Sequence, residues 1–135
     1  MTHLLDTSAL LAHYLAEPGA ERVKALFEDD AVVAGASILS PYEFELRLHQ
    51  LGVDAANRTS ELSRYRALLN EVVVVDEAVR SEAIRLRTSA TAHVAAMDVL
   101  IAATASLKNA TLVHRDPHFA AIPTSLLKQE VLPAK

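Results

Sequence analysis

The chain predicts a three-layer α/β/α sandwich around a central parallel sheet of four to five strands. Short apolar runs alternate with longer amphipathic ones, as strand–helix–strand units do. One run, Val72-Val73-Val74-Val75, is uniformly apolar, as a strand covered on both faces should be. Cap-forming side chains follow several of the runs directly.

The elements follow in order. His3-Leu4-Leu5 reads as a short strand, and Thr7-Ser8 supply cap hydroxyls for a helix through about Leu15, stopped by Glu17-Pro18-Gly19. A second helix over 20–28 turns Val23, Leu26 and Phe27 inward, and the small and β-branched residues 31–36 read as a buried strand. Ser40-Pro41-Tyr42-Glu43 has the form of a capping box with proline at the first helical position, opening a helix to about Leu51 before Gly52. Residues 54–69 form a long helix, 72–75 a strand, and Asp76 caps a helix through about Arg87. Residues 95–108 are apolar nearly all round, so this helix is central. Thr111-Leu112-Val113-His114 is the next strand and 126–132 a last edge strand.

At 135 residues the chain is expected to be one compact domain over 1–135. It has no cysteine, which removes disulfides, thiolate zinc sites and cysteine nucleophiles and suits a reducing cytoplasm. No basic, apolar leader is visible, and the nearest approach to a membrane span, 88–107, carries His93 and Asp98. A soluble protein with no membrane partner is expected. The net charge of −4 argues against broad affinity for nucleic acid, although acids that hold cations lower the formal total. With glycine only at 19, 35 and 52, there is no phosphate-binding glycine loop and no dinucleotide fingerprint. No serine sits in a nucleophile elbow, and no histidine pair has zinc-ligand spacing.

Four carboxylates carry the chemistry. Asp6, Glu43, Asp98 and Asp116 each interrupt or end an apolar segment, with no lysine beside any of them. An uncompensated carboxylate near a core costs roughly 3–5 kcal/mol. A hard divalent cation with oxygen ligands is the simplest missing partner. Asp6 and Asp116 fall at the carboxyl ends of expected strands, Glu43 in the first turn after another, and Asp98 in the central helix, so one acidic pocket on the ligand-binding rim is natural. One or two Mg²⁺ or Mn²⁺ ions there would orient water, lower its pKa and neutralise phosphoryl charge, which suits phosphodiester hydrolysis.

Each acid also has a local reading. Glu43 fits the third position of a capping box, Asp6 precedes a helix, Asp98 gains from a helix dipole if it lies in the first turn, and Asp116-Pro117 initiates turns.

Leu4-Leu5-Asp6-Thr7-Ser8, Ser40-Pro41-Tyr42-Glu43, the run from Ala96-Met97-Asp98 to Ala105, and Leu112-Val113-His114-Arg115-Asp116-Pro117-His118-Phe119 resemble the ordered acidic motifs of PIN domains, closest to the VapC-type toxins of toxin–antitoxin pairs. The resemblance covers essentially the whole chain. It implies a parallel sheet between helices, an Mg²⁺- or Mn²⁺-dependent endoribonuclease, homodimers, and a VapB-like antitoxin whose tail blocks the pocket. Carried over, Asp6, Glu43, Asp98 and Asp116 are the metal-binding and catalytic acids, and Thr7 or Ser8 is the hydroxyl that often follows the first acid. Two positions depart from the pattern: His114 stands where threonine is common, and His118 where some members carry the further acid of a second cation site. Contacts to substrate are expected from Thr7, Ser8, Arg87, His114 and Arg115. The competing functions are a catalytically silent binding or assembly module and a nuclease acting on DNA.

Overall fold

A computed structural model describes residues Met1–Lys135. The order is β1 (His3–Leu5), α1 (Thr7–Tyr14), α2 (Ala20–Glu28), β2 (Ala34–Ser37), α3 (Leu39–Gln50), α4 (Ala55–Leu68), β3 (Glu71–Val73), α5 (Glu77–Ser89), α6 (Ala96–Leu107), β4 (Thr111–His114), a 3₁₀ turn (Pro117–Ala121) and β5 (Gln129–Val131). The five strands form one parallel sheet in the order β3-β2-β1-β4-β5.

The period of two along the strands divides the core. Leu4 and Leu112, paired in register, face one side, where they meet Val79 and Leu86 of α5 and Ile101, Ala102 and Ala105 of α6. Their neighbours Leu5 and Val113, also paired, face the other side, against Ala9 and Leu10 of α1, Leu26 of α2, Phe44 and Leu48 of α3 and Tyr65 of α4. Helices therefore cover both faces, which is the expected sandwich. The stretch of α6 from Ile101 to Ala105 is buried on every side, in keeping with its all-round apolar sequence.

Three local expectations need correction. The valine run is not a doubly covered strand: β3 is an edge strand, and Val74 and Val75 beyond it are 62% and 37% exposed. Continuous apolarity says nothing about which strand takes the edge, because the order of strands is set by the crossovers. The capping box at Ser40 does not form. Ile38 is the cap residue, Ser37 Oγ accepts from the Leu39 amide at 3.2 Å, and α3 starts before Ser40. Pro41 then sits in the first turn, where its missing N–H breaks no intrahelical bond, and Ser40 Oγ is buried without a partner. At the start of α1 the cap is the Asp6 carboxylate, which accepts from the Ser8 amide, and not a hydroxyl of Thr7 or Ser8. Gly52 does end α3 as expected, at φ +85, with its amide on the His49 carbonyl.

No helix is long and apolar enough to cross a membrane. Leu112→Ala in the doubly covered β4 should cost ~2–5 kcal/mol in urea unfolding. Val74→Thr should move stability by less than about 0.5 kcal/mol, as befits an exposed edge position.

Candidate functional site

The sheet order places the topological switch point between β1 and β4: the chain runs outward from β1 through β2 to β3, then returns to place β4 on the other side. Asp6 follows β1 immediately and Asp116 lies two residues past β4, so both stand on the same rim of adjacent parallel strands. The Ser8 hydroxyl ties this rim together. It donates to Asp6 Oδ2 at 2.5 Å and accepts from the Arg115 amide at 3.0 Å, linking the ends of the two strands.

Glu43 joins them from α3, with Thr7 Oγ1 donating to its Oε1 at 2.7 Å. Asp98 comes from the first turn of α6. The four are close enough to feel one another. Burial pushes the Asp6 carboxyl up to about 6; the Ser8 bonds oppose this, and the Glu43 and Asp116 charges add to it. Burial, then the charges of Asp6, Asp116 and Glu43, raise Asp98 to about 6 as well.

The donor set suits a hard cation. The protein's bonds to Asp6 both fall on Oδ2, those to Asp116 on Oδ1, and that to Glu43 on Oε1, while Asp98 accepts none, so each carboxylate keeps an oxygen without a protein partner. No lysine or arginine pairs with any of the four; the one basic partner is His118, whose Nδ1 lies 2.9 Å from Asp116 Oδ1. The spacing is open, since no three acidic or histidine side chains close into a ready cation cage. The largest cavity, about 550 Å³ between α3, α4 and β3, is apolar and contains none of the four acids.

The remaining expected residues have structural partners. His114 is buried and neutral: its Nδ1 accepts from the Asp116 amide at 3.1 Å, so the proton sits on Nε2, which donates to Gln129 Oε1 at 2.8 Å. Burial lowers its pKa. Gln129 in turn donates to the carbonyls of Phe119 and Ile122. His114 thus reaches no solvent and shapes the turn that carries Asp116. Arg115 turns away from the acids, its guanidinium on Glu17 Oε1 at 2.8 Å and on the Pro18 carbonyl. Arg87 alone of the two expected arginines has no carboxylate partner. Sequence reasoning missed Gln129 and Glu17, which carry no local motif and act only through contacts distant in the chain.

From residue 3 to residue 124 the sequence matches the profile of the PIN domain. The chain belongs to the PIN domain family. Solved structures share the fold of this PIN domain over nearly its full length. VapBC2 from Rickettsia felis, bound to a DNA fragment from its promoter, has a TM-score of 0.78 at 21% identity, covering 98% of this chain and 100% of that one. FitAcB from Neisseria gonorrhoeae has a TM-score of 0.70 at 24% identity, over 95% and 96% of the two chains. A toxin–antitoxin complex from Klebsiella pneumoniae has a TM-score of 0.66 at 22% identity, over 90% and 93%. No curated protein matches this PIN domain in sequence.

The raised carboxyls have a consequence for stability. An unfolded aspartate titrates near ~3.9, while folded Asp98 titrates at about 6. Between these values the folded state holds a proton that the unfolded state has lost, so the contribution of Asp98 is full below ~4 and is lost as pH rises through 6. Without added cation, Asp98→Asn should be more stable than the native protein at pH 7. That advantage should shrink toward pH 4, as thermal unfolding of both across this range would read.

Proposed function

We propose that this PIN domain, acting as a single domain in the cytoplasm, is a divalent-cation-dependent endoribonuclease. It is the toxin half of a VapBC-type pair and hydrolyses RNA phosphodiester bonds. The observation that carries this reading is the set of four carboxylates, each with an unbonded oxygen and none paired to lysine or arginine, gathered at the switch point of the sheet. Membership of the PIN family supports nuclease chemistry. Likeness to VapBC and other toxin–antitoxin complexes supports a VapB-like antitoxin as partner.

Asp6, Glu43, Asp98 and Asp116 would hold Mg²⁺ or Mn²⁺. Such a cation supplies Lewis-acid polarisation of a phosphoryl oxygen and lowers the pKa of water. The chain does the rest by orientation. Ser8 fixes which oxygen of Asp6 faces outward, Thr7 does the same for Glu43, and the His114 ring holds the backbone from which Asp116 projects. The homodimer that the family resemblance implies is part of this reading.

One observation favours a second function. The open spacing of the acids is what a catalytically silent binding module would also show. Calorimetric titration with Mn²⁺ bears on the choice, since a pure assembly module need not bind metal at all.

Asp6→Asn and Asp98→Asn should each lower Mn²⁺-dependent cleavage of RNA by ~10²-fold or more with the circular dichroism spectrum unchanged. Parallel assays on single-stranded DNA and a chromogenic diester would show whether RNA is preferred, and equal rates on DNA would overturn that part. Expression should arrest growth, and Asp6→Asn should relieve the arrest.

A further inference from the structure

Basic side chains are scarce near the acids, and most of those on the chain are committed. Arg22, Arg58, Arg64, Arg80, Arg85, Arg115, Lys108 and Lys135 all pair with carboxylates. Arg87 does not. Its Nη2 donates to His93 Nδ1 at 3.2 Å. A guanidinium has no lone pair, so in this contact Nδ1 is the acceptor and the ring proton of His93 sits on Nε2. Arg87 and His93 together therefore offer N–H donors with no protein acceptor opposite them.

They stand at the mouth of a cleft of about 430 Å³ between α5 and α6, floored by Ala83, Ile84, Val94, Val99 and Leu100. Ile84 is 58% exposed there, so the apolar floor is open to solvent. A second hollow, of about 310 Å³, shares His93 and runs past Thr91 to Pro117 and His118. His118 bonds Asp116. His93 is thus common to both hollows, and the second ends at His118, the residue that contacts Asp116.

We propose that this cleft is a subsite for one unpaired nucleotide flanking the cut phosphodiester, its base on the apolar floor and its phosphate on Arg87 and His93. The proposal rests on the nuclease reading above and deepens it. Four acids repel a polyanion wherever no cation covers them, so a strand needs a point of attachment beside them. Arg47, Arg66 and Arg87 are the arginines without a carboxylate partner, and of the three only Arg87 lines this cleft. A base can enter such a cleft only when splayed out of a helix, which makes the substrate locally single-stranded. A second copy of the chain docked here about a two-fold axis would instead set the cationic rim against itself.

The test is fluorescence anisotropy of a short labelled single-stranded RNA with the native protein, in EDTA so that nothing is cleaved, alongside calorimetry with Mn²⁺ alone. Arg87→Gln should weaken RNA binding by roughly three- to tenfold and lower the slope of log affinity against log salt by about 0.7, as loss of one phosphate contact does. Arg87→Lys should restore most of that slope, which a purely structural role would not. Ile84→Glu should weaken binding through the floor, and every variant should keep the native Mn²⁺ isotherm. RNA affinity within twofold of native for both Arg87→Gln and Ile84→Glu would overturn the proposal. So would a change in sedimentation mass with RNA affinity intact, which would make the face a protein interface. If Mn²⁺ fails to bind the native protein while RNA binding still depends on Arg87, the nuclease reading falls and the subsite stands.

Discussion

The chemistry of this fold depends on β1 and β4 lying side by side and parallel. That pairing brings Asp6 and Asp116, from opposite ends of the chain, onto one rim. Three register pairs, His3 with Thr111, Leu4 with Leu112 and Leu5 with Val113, fix it, and the alternation of Leu4 and Leu5 into opposite layers makes a one-residue slip prohibitive. Ser8 then fastens the strand ends directly by bridging the Asp6 carboxylate and the Arg115 amide. The core thus sets where the two strands end, and the contacts of the turn after β4 set where Asp116 projects.

The contrast with the other acids of the chain is instructive. Glu17, Glu82 and Glu130 each meet an arginine, and those hydrogen bonds hold their carboxyls below the usual range. Asp6 and Asp98 shift the opposite way, because burial and like charge act on them without a cationic neighbour of comparable strength. Six glutamates pair with the protein's own arginines, whereas none of the four switch-point acids pairs with an arginine or a lysine. Carboxyls shifted in this way mark the switch point as the candidate site.

Much of this was legible in the sequence, and the failures have physical causes. The acids at Asp6 and Asp116 could be placed on one rim because each follows a short apolar run, and parallel strands carry ligands at their carboxyl ends. Asp76 caps its helix as the sequence predicts, accepting from the Val79 amide. The Ser40 box failed because a neighbouring hydroxyl, on Ser37, satisfied the helix start one turn-position early. The valine run misled because an edge strand and a central strand of a parallel sheet look alike when read alone. The roles of His114 and Arg115 were hidden because their partners, Gln129 and Glu17, lie far away in the chain and carry no pattern of their own.

The His114–Gln129 pair has a further bearing on the last strand. Gln129 begins β5, the outermost strand on its side, held to the sheet by only three register pairs. The same side chain braces the turn after Asp116 through the Phe119 and Ile122 carbonyls. Fraying of the carboxyl-terminal segment would therefore slacken the hinge on which the fourth acid hangs, so the condition of the tail and the aim of that acid are mechanically one quantity.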